Sequence, residues 1–104
     1  MSTVDTIKKQ LKDNPIILYM KGTPENPQCG FSQAASIALK KANIDYAYVN
    51  VLAAPFIRER LPQVSNWPTF PQLFIDGELV GGSDIICQKV EDGSLVEDIA
   101  AVNS

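Results

Sequence analysis

The sequence contains no histidine and only two cysteines, Cys29 and Cys87, among its 104 residues. Without histidine, no Ser–His–Asp or Cys–His catalytic arrangement can be assembled, nor any histidine-ligated metal site. Two isolated cysteines, with no targeting segment in view, fit a reducing compartment such as the cytoplasm, where thiols are reactive or buried rather than bridged. Long apolar runs are missing as well. The longest, Ile16 to Met20, is far too short to span a bilayer, so no membrane partner is expected. Met1 and Ser2 lead straight into a polar segment, and no secretory signal is expected either. Basic residues are not in excess: 9 Lys and Arg against 12 Asp and Glu give a formal charge of −3. That balance argues against a nucleic-acid partner, which normally meets a clustered basic face.

What is present is an ordinary globular composition, with 45% hydrophobic and 20% charged residues, enough to bury a core without disulfide or metal staples. One domain over residues 1–104 is expected. Ser2, with Asp5 three residues on, is a capping pair for a first helix whose apolar stripe is Val4, Ile7 and Leu11. Asn14-Pro15 ends it, because the residue before proline avoids helical angles. The apolar run Ile16–Met20 reads as a strand covered on both faces. A loop from Lys21 to Gln28 carries Pro24 and Pro27, and a helical pattern follows from about Phe31 to Lys41. Alternation over Tyr46–Leu52 predicts a second strand, and Pro55 opens a third helix reaching to about Leu61. Asp76-Gly77, between Gln72–Ile75 and Glu78–Val80, predicts a tight hairpin. A last helical region starts near Ser83 and breaks at Gly93, with Ser94 as the expected cap of its final piece, Leu95 to Val102. The order predicts an α/β fold: a small mixed sheet with parallel and antiparallel pairs, flanked by helices.

Three segments carry chemistry. Cys29, in Gln28-Cys29-Gly30-Phe31-Ser32, lies where a loop enters a helix. There, open backbone N–H groups and the positive end of the helix dipole favour a thiolate. Lys21 could add a second positive charge. Ser32 stands where a C-x-x-C motif would place its second thiol, and a hydroxyl cannot resolve a disulfide, so exchange begun at Cys29 must be finished by an external thiol. In isolation, such a cysteine reads more readily as a small buried residue capping a helix, and its company in this sequence reverses that. Trp67-Pro68-Thr69-Phe70-Pro71 precedes the hairpin; a cis Phe70-Pro71 bond there would present the Phe70 backbone to an extended peptide. Gly81-Gly82-Ser83-Asp84 opens a helix; its N–H groups can form a nest for a carboxylate, Asp84 would attract an ammonium group, and a glycine turn with Ser83 or Asp84 as N-cap can hold at the same time. Arg58 and Arg60 flank Glu59 on a short helix, a pattern that usually marks a solvated face.

Taken together, Tyr19-Met20-Lys21-Gly22, Cys29-Gly30-Phe31-Ser32, Trp67-Pro68-Thr69-Phe70-Pro71-Gln72 and Asp76-Gly77-Glu78-Leu79-Val80-Gly81-Gly82-Ser83-Asp84 resemble the monothiol glutaredoxins, in the single-domain, bacterial-type form, over essentially the whole chain. The resemblance implies a thioredoxin fold with a four-stranded sheet. It implies glutathione as cofactor: Lys21 and Arg58 on its glycine carboxylate, the Phe70 backbone pairing with its cysteine, and Ser83 with Asp84 on its γ-glutamyl end. It also implies a 2Fe-2S cluster shared between two subunits, with Cys29 as the one metal ligand of each chain. Such clusters normally need four thiolate-type ligands, which two chains and two glutathiones would supply. The expected oligomer is a monomer without cluster and a homodimer with it. Expected partners are iron–sulfur recipient apoproteins and a BolA-family protein. The rival reading is a glutathione-dependent thiol–disulfide oxidoreductase that acts through Cys29; the absent second thiol and the long Gly22–Gln28 loop favour the cluster carrier. Many relatives have a second cysteine where this chain has Ser83. Here Cys87 stands one helical turn further on, beside Ile85, Ile86 and Val90, and reads as a structural, partly buried thiol.

Overall fold

The strand β1 (Ile16–Met20) is the axis of the molecule. Its successive side chains point to opposite faces, so Ile17 and Tyr19 enter one core while Leu18 and Met20 enter another. All four are buried, which is why the segment has no polar alternation. The computed structural model describes residues 2–103. Around β1 the sheet runs in the order β4 (Ala47–Asn50), β1, β5 (Gln72–Ile75), β6 (Glu78–Gly81). β1 and β4 are parallel, and the two remaining pairs are antiparallel. Asp76 and Gly77 both take positive φ, 52° and 80°, as the expected two-residue turn requires.

Helices cover both faces. On the side of Leu18 and Met20 lie α2 (Gly30–Lys41), α4 (Ser83–Asp92) and α5 (Ser94–Asn103), through Ala35, Leu39, Ile86 and Leu95. On the side of Ile17 and Tyr19 lie α1 (Thr3–Asp13) and α3 (Pro55–Ser65), through Ile7, Ile57 and Leu61. Each fully buried aliphatic side chain of this kind contributes roughly 1.5–3 kcal/mol. Tyr19 is also fully buried, and its hydroxyl is satisfied by donating to Gln10 Oε1 at 2.8 Å. Ser2 caps α1 as expected: its Oγ accepts the Asp5 N–H at 3.1 Å.

Three local expectations are corrected. α3 runs past Leu61 to Ser65, with Pro62 inside it, and ends at Asn66 in the left-handed conformation. Proline there forfeits one helical bond, but the buried Ile57 and Leu61 hold the helix to the core. Ser94 does not act as the side-chain cap of α5. It is the first helical residue, and its N–H donates to Asp92 Oδ1 at 2.8 Å. The segment between Lys21 and Gln28 is not an open loop. Gly22–Thr23 (β2) and Asn26–Pro27 (β3) form a miniature antiparallel pair, closed by the Gln28 N–H donating to the Lys21 carbonyl at 2.9 Å and the Asn26 N–H to Thr23 Oγ1 at 3.1 Å. Gly22, at φ 93°, is required there, because a Cβ would stand 2.5 Å from the Asn26 carbonyl oxygen.

Candidate functional site

The carboxyl end of β1, the start of α2, the Trp67–Pro71 segment and the start of α4 meet around a cleft of about 750 Å³. All six residues singled out in the sequence lie on its wall: Lys21, Cys29, Arg58, Phe70, Ser83 and Asp84. Sequence separations of up to 63 positions collapse into one site because three strand-to-helix or loop-to-strand junctions fall at the same edge of the sheet.

Cys29 is the N-cap residue of α2. Its backbone is extended, at φ −150° and ψ 138°, and its side chain makes no capping hydrogen bond. The thiol is half-buried and free. It is held below the ordinary thiol range, first by the backbone N–H of Ser32, and further by the Phe31 N–H, the Lys21 ammonium and the Ser32 hydroxyl, against a desolvation penalty. This is the physical content of a helix N-terminus acting on a thiol: N–H groups without an intrahelical partner stabilise the anion.

α4 opens on the same cleft and is also uncapped. Gly82 is its N-cap residue, and neither Ser83 nor Asp84 supplies a capping side chain, which corrects the expectation that one of them is the N-cap. Gly82 packs closely here: a Cβ would lie 3.3 Å from Trp67 Nε1, a tight contact, and 3.5 Å from the Pro71 carbonyl, an ordinary one. Lys21 and Arg58 bring two cations to the cleft, and the exposed Asp84 brings one carboxylate. Phe70-Pro71 is cis, as expected.

Sequence reasoning passed over four contributors. Phe31, beside Cys29, is 64% exposed and lines the cleft; an isolated aromatic at a helix start carries no periodic signal. Gln72, fully buried, donates through Nε2 to the carbonyls of Trp67 at 2.8 Å and Thr69 at 3.1 Å, and so shapes the cleft wall. Ser32, identified only as a missing thiol, is fully buried and accepts the Lys21 N–H through Oγ at 3.0 Å. Asn50 accepts the Gly22 N–H at 2.9 Å. Cys87 is not at this site. It faces a separate groove between α2 and α4, where its thiol donates to the Ala34 carbonyl at 3.8 Å.

A sheet covered by helices on both faces, with a single thiol at a helix N-terminus beside a cleft set with both charges, defines a protein of thioredoxin fold. The comparisons give the family. A glutaredoxin family model matches residues 16–80. The chain is 52% identical over 104 residues to "Glutaredoxin 4" of Pasteurella multocida, covering 97% of this chain and 95% of that one. The solution structure of reduced poplar apo GrxS14 superposes with a TM-score of 0.81 at 40% identity, over 97% of this chain and 93% of that one. A buckwheat glutaredoxin solved in complex with glutathione shares the fold, with a TM-score of 0.82 at 21% identity, over 96% and 89%. The chain belongs to the glutaredoxin family.

Proposed function

We propose that this glutaredoxin binds glutathione in the cleft and, as a pair of chains, carries a 2Fe-2S cluster for iron–sulfur assembly and transfer. The observation that carries the proposal is the pairing of one activated thiol, Cys29, with an anion-accepting cleft and no second thiol within reach. Glutathione bears a carboxylate at each end and an ammonium at one. Lys21 and Arg58 would take the glycine carboxylate, with the guanidinium fork suited to it. The Phe70 backbone would pair with the cysteine residue. The uncapped start of α4, at Ser83, would take the γ-glutamyl carboxylate, and Asp84 the ammonium.

The donor set fits a shared cluster. Among the described residues no group of three or more cysteine, aspartate or glutamate side chains could hold a metal, and Cys87 faces another groove. One chain therefore offers Cys29 alone, and four sulfur ligands call for two chains and two glutathiones. The cluster is cargo, held by small-molecule ligands that can depart. The chain would be a monomer without it and a homodimer with it, working in the cytoplasm, with iron–sulfur apoproteins as recipients. A BolA-family protein is proposed as a further partner through the same face. Among the described residues no helix is long and apolar enough to cross a membrane.

The lowered thiol favours a second reading, as a glutathione-dependent thiol–disulfide oxidoreductase. The Cys29 thiolate would attack the glutathione sulfur of a mixed disulfide and release the protein thiolate. A second glutathione would then attack the glutathione-bearing disulfide at Cys29 and leave as oxidised glutathione. Anaerobic reconstitution with iron, sulfide and glutathione separates the readings. A carrier gains visible absorption and doubles in size only when glutathione is present; absorption without glutathione, or none with it, removes the cluster proposal.

A further inference from the structure

Met20 is the last residue of β1 paired in the four-stranded sheet. The next two backbone N–H groups lie beyond that ladder, and each is taken by a side chain distant in sequence. The Lys21 N–H donates to Ser32 Oγ at 3.0 Å, and the Gly22 N–H donates to Asn50 Oδ1 at 2.9 Å. Ser32 is fully buried in the first turn of α2. Asn50 ends β4, and its Oδ1 also accepts the Leu52 N–H at 3.0 Å. The Lys21 carbonyl is taken too, by the Gln28 N–H at 2.9 Å.

The Lys21 backbone is thus gripped at both its polar atoms, and its neighbour Gly22 by a third bond, where the chain turns out of the sheet. A lysine side chain is a flexible four-carbon stem with no preferred direction of its own. The reach of its ammonium is set by the backbone from which it starts. Ser32 and Asn50 come from different elements, one from the helix that presents Cys29 and one from the parallel strand β4. They tie the lysine to the same frame as the thiol.

We propose that Ser32 and Asn50 are positioning residues: by accepting the consecutive N–H groups of Lys21 and Gly22, they hold the Lys21 ammonium over the cleft beside Cys29. Position 32 is then not a vacated thiol site but an occupied acceptor. Sulfur is a weak acceptor, so a cysteine there would gain a thiol and loosen the lysine. The inference deepens the glutathione reading above and rests on it for the ligand that Lys21 meets.

The test uses the full chain, with S-methylglutathione as a probe that carries both carboxylates and no free thiol. Ser32→Ala, Ser32→Cys and Asn50→Ala should each weaken its binding by about 5-fold, the scale of one hydrogen bond. In a Lys21→Gln background the same changes should alter binding less than ~2-fold, because residues acting through one group are not additive. Asn50→Asp, which keeps the acceptor oxygen, should keep the Gly22 amide protected from hydrogen exchange. Amide hydrogen exchange reads the clamp without any ligand: Ser32→Ala should strip protection from Lys21, and Asn50→Ala from Gly22, while Leu18 and Leu73 keep theirs. Equal losses of affinity in both backgrounds, or unchanged exchange at Lys21 and Gly22, would overturn the proposal. A Lys21→Gln chain that binds the probe as wild type does would instead remove the carboxylate assignment, and amide exchange would then decide the clamp alone.

Discussion

The Cys87 thiol on α4 donates to the carbonyl of Ala34 on α2, 3.8 Å away. Both cysteines are therefore tied to one helix: Cys29 begins it, and Cys87 packs along it in a different groove. A hydroxyl can make the same donation. Cys87→Ser should cost about 1 kcal/mol or less in denaturant unfolding and leave glutathionylation and cluster loading as they are. Cys29→Ser should remain folded while losing both activities. A well-folded Cys87→Ser chain unable to load a cluster would place Cys87 in the site.

The thiol of Cys29 should react as an anion below the pH where ordinary cysteines do. In a Cys87→Ser background, the rate of iodoacetamide alkylation should rise with pH and reach half its plateau below the ordinary value of ~8.5. The largest cause is the Ser32 N–H, with Phe31, Lys21 and the Ser32 hydroxyl adding to it. The sign for stability follows the same way. Folding favours the thiolate, so the contribution is complete above the unfolded thiol's pKa and is lost as pH falls through the lowered one. An alkylation midpoint at or above ~8.5 would contradict this electrostatic account.

Gly22→Ala should be among the most damaging changes that remove no contact. At φ 93°, with 2.5 Å between an added Cβ and the Asn26 carbonyl, neither backbone nor neighbour has room. Strain of this type costs about 1–3 kcal/mol. It falls on β2 and β3, so weakened glutathione binding should accompany the lowered denaturation midpoint. Wild-type binding in this variant would show that the β2–β3 pair is not part of the site.

Gln72→Met keeps the length of a buried side chain and removes two hydrogen bonds, to the carbonyls of Trp67 and Thr69. The expected loss is about 2 kcal/mol by chemical denaturation, near 1 kcal/mol for each bond. Because those carbonyls precede Phe70 on the cleft wall, glutathione affinity should fall as well. A stability loss with unchanged affinity would confine Gln72 to a structural role.

Much of the fold was legible because its cues are local. Ser2 with Asp5, the Asp76-Gly77 turn and the unbroken apolar run of β1 each act within a few residues, and each formed as expected. The site was legible only in part. Cys29, Lys21, Arg58, Phe70, Ser83 and Asp84 line one cleft. Ser32 and Asn50 were missed as anchors because their partners lie 11 and 28 residues away, and a serine or asparagine advertises no distant donor. The end of α3 was misread because Pro62 looks like a breaker, while burial of Ile57 and Leu61 decides the outcome. Ser94 was misread because two capping-type residues, Asp92 and Ser94, compete two positions apart, and the carboxylate took the N–H.

The alternation along β1 sets how the molecule comes apart. Ile17 and Tyr19 belong to one core, Leu18 and Met20 to the other, so neither core can open without pulling on the strand that serves its twin. Partial unfolding that spares one face is thereby discouraged, and the chain should melt in a single cooperative transition. The turn at Lys21 and Gly22 continues from that same strand. The thiol site therefore should not fray ahead of the body of the protein. It should persist until global unfolding, and vanish with it.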